Sequence, residues 1–295
     1  MLTIKNIDVF MGRKKIIKDI SFQVANGAIV GLIGPNGAGK TTIMKTILGL
    51  TKFNGEIRVN NEIVTENNHR ALAKVGALIE HPAIYPFLSG TQNLELYSKD
   101  RVAMAQIITL LKMDDYINQK SKNYSLGMKQ KLGIAIALLN NPELVILDEP
   151  MNGLDIEATV LVRQIIKKYA SEGTTFVISS HVLNELQKIM TDIVIIKDGE
   201  LIVDEPIDVF KKVNNQSYRL TTKNLAQSYE LIKLKGFDVK QSDDHLIVSK
   251  ESIDLIQDLL FQNRIHLITL IPEEANFEQI VINLLQEKRG KADGN

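Results

Sequence analysis

The sequence predicts an α/β protein with a mixed sheet core, an inserted helical subdomain and a small α+β domain in its last part. Runs of branched apolar residues within 28–34, 143–150 and 174–181 have the continuous apolar character of strands buried on both faces of a largely parallel sheet. Between about residues 90 and 140 such runs disappear and helical periodicity dominates. From about residue 215 short strands and helices alternate, which predicts a separate domain.

The first domain is predicted over residues 1–214. Its strand at 28–34 leads into a helix, which is indicated by apolar residues at helical spacing: Ile43, Met44, Ile47 and Leu48. The helical subdomain at about 90–140 is indicated by a stripe of the same kind: Met104, Ile107, Ile108 and Leu111.

The second domain is predicted over residues 215–295, after a polar stretch at 211–220. Its strands are predicted at 218–222, 237–241, 246–249 and 265–271, and its helices at 224–235 and 252–263. A last helix carries Phe277, Ile280, Val281, Leu284 and Leu285. The β-α-β-β-α-β order is the ferredoxin-like pattern.

The composition argues against several functional classes. The chain has 295 residues, of which 44% are apolar and 24% charged, as in folded globular proteins. Its 35 basic and 35 acidic residues balance, which argues against nucleic acid as a partner. It has no cysteine, and therefore no thiolate nucleophile or thiolate metal site. No secretory signal pattern and no run of about 18 apolar residues is visible, so any membrane crossing is expected from another chain.

The stretch GPNGAGKTT matches the phosphate-binding pattern G-x-x-x-x-G-K-[ST]. It follows a predicted strand and opens a predicted helix, and in that context a chance match in a glycine-rich turn is the weaker interpretation. Glycines let successive N–H groups face a phosphate, and a helix N-terminus attracts anions. Lys40 is expected to reach the terminal phosphates and Thr41 to bind Mg²⁺. The predicted nucleotide-binding residues are Gly34, Pro35, Asn36, Gly37, Ala38, Gly39, Lys40, Thr41 and Thr42.

Two acidic residues end the predicted strand in LVILDEP, residues 144–150. Asp148 and Glu149 lie at the strand end where ligands of open α/β sheets gather. Asp148 is expected to hold Mg²⁺ through a water molecule, and Glu149 to polarise the attacking water. The alternative is a pair of solvated acids, which the neighbouring phosphate motif makes the weaker interpretation.

Two further stretches could carry chemistry. His181 follows a buried strand in ISSHVL, where it could bond a γ-phosphate or be structural, and the residues alone leave both open. The stretch NYSLGMKQKLGIA, residues 123–135, indicates a helix start with Ser125 as its N-cap and Gly127 in its first turn.

The stretch GALIEHPAIYP, residues 76–86, places a carboxylate where a strand ends. Residues 77–79 predict the strand, and His81 is biased to extended geometry because it precedes a proline. Glu80 would then lie near a triphosphate, where another anion is repulsive. Either Glu80 is an ordinary strand-end residue, or a cation lies between it and the phosphates.

Together these motifs resemble the ATP-binding cassette (ABC) ATPase family over about residues 2–210, in order and in spacing. GPNGAGKTT resembles its phosphate loop, LVILDEP its second acidic motif, YSLGMKQK its signature, NGLD its D-loop, and His181 its switch histidine. The resemblance implies a P-loop NTPase fold of ABC ATPase type, with ATP and Mg²⁺ as cofactors. It also implies that two ATPase units, a homodimer of this chain or this chain with a sister chain, close head to tail around two ATPs.

The resemblance implies residue roles across that dimer. The signature residues would cap the γ-phosphate of the partner's nucleotide, and Asp155 would lie at the dimer seam. The signature residues are Ser125, Leu126, Gly127 and Met128.

The chain departs from the family pattern at three places. Leu126 and Met128 stand where the family usually has glycine and glutamine. The adenine-stacking position falls on Met11, beside Phe10. Glu80 stands where the family has a glutamine that contacts Mg²⁺ or the attacking water, and a carboxylate is the better Mg²⁺ ligand. The resemblance thus implies Thr41, Asp148 and Glu80 as metal ligands, and Glu149, His181 and Glu80 as catalytic residues.

A glutamate at this position and an S-L-G-M signature are similar to the branch of the family that protects bacteria from bacitracin and lantibiotic peptides. This similarity implies an exporter ATPase on the cytoplasmic face of the bacterial cell membrane. Integral membrane permease subunits would be its partners, and the peptide antibiotic would be recognised only indirectly. The stretch 81–94 would dock a permease helix, or pack on the helical subdomain, through Ile84, Tyr85, Phe87 and Leu88.

Other interpretations stay open. An ABC transport ATPase could serve another cargo, such as lipid, drug or sodium. A soluble ABC protein acting on DNA or ribosomes would tend to carry two cassettes, or a long coiled coil and a basic surface. A P-loop kinase would have no reason for the YSLGMKQK and NGLD motifs.

Overall fold

The computed structural model describes residues 1–214, 217–273 and 277–287. The chain divides into two compact units between Ile207 and Asp208. Among the described residues, no helix combines the length and the apolar character needed to cross a bilayer.

The first unit contains ten strands and six helices within its described residues. The strands are β1 (Leu2–Met11), β2 (Lys14–Val24), β3 (Ile29–Ile33), β4 (Asn54–Val59), β5 (Glu62–Ile63), β6 (Val75–Leu78), β7 (Leu144–Asp148), β8 (Thr175–Ser179), β9 (Asp192–Lys197) and β10 (Glu200–Pro206). The helices are α1 (Lys40–Ile47), α2 (Gly90–Glu95), α3 (Arg101–Leu110), α4 (Leu126–Leu138), α5 (Ile156–Ser171) and α6 (Leu183–Leu186). Short 3₁₀ turns lie at Arg70–Leu72 and Ser121–Asn123.

The central sheet of this unit has the strand order β10-β9-β3-β8-β7-β6. Its pairs are parallel from β9 to β6, and β10 is antiparallel at one edge. Every residue of β3, β7 and β8 is buried, as their continuous apolar runs predict. An antiparallel sheet, β2-β1-β4-β5, shares one hydrophobic core with the central sheet. The predicted mixed sheet core is confirmed.

Helices α2, α3 and α4 form the segment that the sequence predicts as a helical subdomain. Helix α4 lies directly on β6, and a glycine allows this close approach. A Cβ atom at Gly76 would lie 1.7 Å from the carbonyl oxygen of Ala137, so a side chain at residue 76 would push α4 off the sheet.

The second unit has the predicted order of elements. Its elements are α7 (Ile207–Asn214), β11 (Ser217–Thr222), α8 (Leu225–Leu234), β12 (Val239–Gln241), β13 (Leu246–Ser249), α9 (Ile253–Gln262), β14 (Leu267–Pro272) and α10 (Phe277–Glu287), with a 3₁₀ turn at Lys250–Ser252. The sheet is antiparallel throughout, in the order β12-β13-β11-β14. Its core contains Leu220, Ile232, Leu246, Val248, Ile256 and Leu260.

The division between the units falls ahead of the predicted boundary near residue 214. The polar stretch at 211–220 is typical of a linker, but α7 runs into it. Phe210 on α7 is fully buried and packs edge to face on Phe277, with ring centroids 5.8 Å apart. This apolar contact explains why residues 208–214 group with the second unit.

Candidate functional site

The phosphate loop, residues 34–39, connects β3 to α1. Gly37 and Gly39 have positive φ angles of 81° and 107°, which glycine adopts at little cost. A Cβ atom at Gly39 would lie 2.4 Å from Cδ1 of Ile17, so a side chain there would also collide with the core. The loop borders a depression of about 270 Å³, which is lined by Ile16, Asn36, Gly37, Gly39, Lys40, Thr41, Thr42, Asp148 and Glu149.

The Lys40 side chain is held inside the curl of this loop. Its Nζ atom donates to the carbonyl oxygens of Gly34 at 2.7 Å and Pro35 at 3.3 Å. Burial lowers the pKa of Lys40, and the nearby carboxylates of Glu149 and Asp148 oppose that shift. The loop therefore presents a partly desolvated ammonium group that a phosphate oxygen could bind in place of the carbonyls.

Asp148 is buried at the end of β7, and both of its carboxylate oxygens accept hydrogen bonds. The hydroxyl of Thr41 donates to Oδ2 at 2.8 Å, and the hydroxyl of Ser179 donates to Oδ1 at 2.5 Å. Ser179 also accepts a bond of 3.0 Å from the backbone N–H of Glu149. Sequence reasoning missed Ser179, although a serine that ends a buried strand at this sheet edge was the available signal.

Glu149 has a left-handed backbone, with φ of 52°, and several groups hold it there. Its carboxylate accepts from the backbone N–H of His181 at 3.1 Å and lies 2.7 Å from Nδ1 of the same residue. Its carbonyl oxygen accepts from Nε2 of the buried Gln130 at 3.1 Å and from the backbone N–H of Asn152 at 3.1 Å. The structure thus brings together the predicted residues Glu149 and His181, and adds Gln130, which no sequence signal indicated.

Glu80 follows β6 at the same edge and has a φ of 58°. Its Oε1 atom lies 2.7 Å from Nζ of Lys45, and this hydrogen-bonded ammonium lowers the pKa of Glu80. In this structure the cation beside Glu80 is therefore a lysine of α1. Lys45 lies one helical turn after Thr41, so its spacing was the available signal.

The signature residues open α4, as the sequence predicts. Ser125 is the N-cap, and its hydroxyl oxygen accepts from the backbone N–H of Met128 at 3.2 Å. Leu126 is exposed, and none of the four signature residues lines the phosphate depression in the described part of the chain. Asp155 caps α5 in the same manner. Their predicted roles across a dimer stay predictions.

The candidates for adenine stacking lie at the tip of the β1–β2 hairpin. Phe10 and Met11 are both exposed there, and the ammonium of Lys15 lies 5.9 Å from the centroid of the Phe10 ring. The choice between the two residues stays open.

A glycine-rich loop between a buried strand and a helix, with two carboxylates at the end of a neighbouring strand, defines a P-loop nucleoside triphosphatase. The family model described as ABC transporter matches residues 17–152. The chain belongs to the ATP-binding proteins of ABC transporters, since it is 33% identical over 284 residues to the uncharacterized ABC transporter ATP-binding protein YhcH of Bacillus subtilis, covering 90% of each chain.

Two other relatives carry more specific names. The bacitracin transport ATP-binding protein BcrA of Enterococcus faecalis is 34% identical over 296 residues, and the match covers 95% of each chain. The lantibiotic transport ATP-binding protein SrtF of Streptococcus pyogenes is 39% identical over 213 residues, covering 70% of this chain and 92% of that protein.

A solved structure also supports membership of the ABC ATPase family. The dimeric ATP-binding cassette MJ0796, in a post-hydrolysis state bound to ADP and Pi, is similar with a TM-score of 0.64 and 25% identity. The match covers 70% of this chain and 99% of that chain. The predicted ABC ATPase fold of the first unit and the predicted ATPase activity are thereby confirmed.

Replacement of Ser179 by alanine tests how strongly its hydroxyl supports the two carboxylate residues. We expect Ser179→Ala to lower the free energy of unfolding by about 1–3 kcal/mol, because Asp148 and the backbone N–H of Glu149 each lose a buried partner. Urea denaturation measures this loss. The matched control is Ser180→Ala, since Ser180 is also buried and, among the described residues, its hydroxyl accepts from the backbone N–H of Val182 alone. Equal losses in both variants would contradict the special role of Ser179.

Proposed function

We propose that this chain is the ATP-hydrolysing subunit of an ABC exporter that confers resistance or self-immunity to a membrane-active peptide antibiotic of the bacitracin or lantibiotic type. The observation that carries this proposal is the similarity to BcrA, which extends over both units of the chain and not only over the ATPase unit. The similarity to SrtF supports the same class of cargo.

The geometry supports a division of labour within the site. Glu149 would act as general base on the attacking water, because its carboxylate is held at the edge of the phosphate depression by His181. Lys40 would exchange its carbonyl partners for the terminal phosphates. A second copy of the chain would supply the signature residues, and the dimeric state of the similar cassette MJ0796 supports such a homodimer as the working unit.

The donors present also fit Mg²⁺. The Thr41 hydroxyl and the Asp148 carboxylate lie within 2.8 Å of each other beside the phosphate loop. In the described part of the chain, no cluster of three or more His, Cys, Asp or Glu side chains could hold a metal ion. A Mg²⁺ ion would thus be held by few protein oxygens together with the phosphates, which is its usual mode, and it would neutralise phosphate charge.

Glu80 would contribute to this metal site only by leaving Lys45. We expect Glu80→Gln to raise the Mg²⁺ concentration that half-saturates nucleotide binding by about threefold, the scale of an exposed ion pair. Lys45→Met should shift it in the opposite direction, because the Glu80 carboxylate is then free for the metal. Titration of a fluorescent ATP analogue at increasing Mg²⁺ measures both shifts.

The matched control for that titration is Lys18→Met. Lys18 pairs with Glu200 at 3.2 Å, and its ion pair is as exposed as that of Lys45, with side-chain exposures of 39% and 52% against 34% and 57%. Its Mg²⁺ profile should equal that of the parent. If the Glu80→Gln profile also equals the parent's, Glu80 has no part in metal binding.

The stretch 81–94 supports a permease partner. Tyr85 and Phe87 are 50% and 65% exposed, and their rings pack edge to face with centroids 5.8 Å apart. Ile84 and Leu88 are half-buried, so the apolar surface consists of the two aromatic side chains and not of the predicted set of four. An exposed aromatic pair suits a partner interface.

The loop that carries this aromatic pair is held by hydrogen bonds from two buried polar side chains. The fully buried Asn93 accepts from the backbone N–H of Tyr85 at 2.7 Å and donates to the carbonyl oxygens of Tyr85 at 3.2 Å and Ser89 at 2.8 Å. The hydroxyl of Ser121 donates to the carbonyl oxygen of Tyr85 at 2.9 Å. A loop that is already ordered loses little entropy when it binds a partner.

Removal of the aromatic pair tests the permease surface. We expect the double variant Tyr85→Ala with Phe87→Ala to lower the recovery of co-expressed candidate permease subunits in pull-down by about tenfold or more, as for aromatic hot spots. Nucleotide binding should be unchanged. The control is Phe261→Ala, which removes an exposed aromatic ring from α9 of the second unit. Equal recovery with both variants would contradict docking at 81–94.

Replacement of the predicted base tests the proposed function as a whole. We expect Glu149→Gln to bind ATP but to hydrolyse it at least about 100-fold more slowly, because the amide cannot accept the proton. Cells that carry the permease and this variant should be as sensitive to bacitracin or a lantibiotic as cells that carry the permease without any copy of this ATPase. Lys40→Ala, which should fail to bind ATP, is the second variant. Parental resistance with Glu149→Gln would refute hydrolysis-driven clearance, and no resistance with the active parent would favour another cargo.

A further inference from the structure

One face of α4 contacts the chain segment that begins at Glu149. Leu126 and Gln130 are four residues apart, so they lie one turn apart on the same face of this helix. Gln130 is buried, and its Nε2 atom donates to the carbonyl oxygen of Glu149 at 3.1 Å. Leu126 lies over Gly153, the second residue of the D-loop at 152–155. We refer to Leu126 and Gln130 as the α4 contact pair.

The contact between Leu126 and Gly153 depends on the size of both residues. A Cβ atom at Gly153 would lie 2.4 Å from Cδ2, 2.6 Å from Cγ and 3.4 Å from Cβ of Leu126. The leucine side chain therefore fills the space that the glycine leaves open. The backbones are also close, since a Cβ atom at Gly127 would lie 3.0 Å from the carbonyl oxygen of Gly153. The ABC ATPase family usually has a glycine at the position of residue 126, and a glycine could make no such side-chain contact.

Gln130, the second residue of the α4 contact pair, bonds Glu149, whose backbone lies in a sparsely populated conformation. Glu149 is left-handed, with φ of 52°, and such a conformation persists only where the surroundings hold it. Its backbone N–H donates to Ser179, and its carboxylate bonds His181. Among the described side chains that bond Glu149, Gln130 alone belongs to the helical subdomain. A shift of α4 would therefore move the main chain of Glu149.

We propose that Leu126 and Gln130 are positioning residues. They couple the position of Glu149 to the position of the N-terminal end of α4. The inference rests on the proposed function, in which Glu149 is the base and the start of α4 faces the nucleotide of a second copy. Engagement of that second nucleotide by Ser125 and Gly127 would then set the geometry of the base in the first site. The chain would thereby link its two nucleotide contacts through one helix.

The first test removes the hydrogen bond to Glu149. Gln130→Met keeps the shape of the side chain but cannot donate, so we expect kcat for ATP hydrolysis to fall about tenfold, as for a displaced catalytic group, while KM for ATP changes less than about twofold. If Gln130 had a merely structural role, its replacement would weaken ATP binding and lower the thermal stability as well as kcat. The control is Gln106→Met, an exposed glutamine on α3. An unchanged kcat with Gln130→Met would overturn the proposal.

The second test is a double-mutant cycle, which stays informative if Gln130→Met does not fold, because Leu126 is 62% exposed and its truncation disturbs little of the core. Leu126→Ala and Gly153→Ala should each lower kcat about threefold, the second because its methyl group displaces the leucine side chain. In the Leu126→Ala background, Gly153→Ala should cost much less, because the atoms at 2.4 and 2.6 Å are gone. The strain of alanine at the positive φ of residue 153 is present in both backgrounds and cancels.

Thermal unfolding of all variants separates positioning from stability. Midpoints close to the parent's, with kcat values that are not additive, support the proposal. Additive kcat values, or losses that follow the folded fraction, would overturn it. If Glu149→Gln itself hydrolyses ATP at the parental rate, the proposed function fails, whereas an inactive Glu149→Gln beside a fully active Gln130→Met defeats this inference alone.

Discussion

Parallel pairing of β3, β8, β7 and β6 is the constraint on which the rest of the site depends. Because these strands run in the same direction, the segments that follow them emerge at one edge of the sheet. The phosphate loop, the two carboxylates at the end of β7, His181 and Glu80 lie at that edge, although they come from distant parts of the sequence. The register completes the arrangement: Asp148 pairs with Ser179, so a carboxylate and a hydroxyl from neighbouring strands come within hydrogen-bond distance.

The same edge brings like charges together, and the structure compensates for them with hydrogen bonds and cations. Both oxygens of Asp148 accept from hydroxyl groups, and Glu149 bonds His181. Burial would favour neutral Lys40, but the two carboxylates favour its charged form. The ammonium of Lys40 thus lies beside the place where phosphates would bind, and it donates to two carbonyl oxygens. When a phosphate replaces these carbonyl oxygens, the ammonium is not left as an unpaired buried charge.

Local patterns explain why much of this site was predictable from the sequence. The phosphate loop, the buried strand runs and the Ser125 cap are each written in a few consecutive residues, so their structure follows from nearby chemistry. Lys45, Ser179 and Gln130 were missed because their roles depend on partners far away in the chain. The predicted boundary near residue 214 differs from the division after Ile207 for a related reason: the polar end of α7 is typical of a linker, whereas the packing of Phe210 on Phe277 groups it with the second unit.

Two of the departures from the family motifs, Leu126 and Glu80, contact a partner residue, and that contact changes how each departure is interpreted. Taken alone, Leu126 at a glycine position is an obstacle in a phosphate cap, and Glu80 at a glutamine position is an added negative charge near a triphosphate. In the structure, Leu126 fills the space above Gly153, and Glu80 is neutralised by Lys45. These two departures are therefore matched, one in size and one in charge, by a residue of another segment. A substitution in a motif changes the demands on what it touches, so its effect on function belongs to the pair and not to the single position.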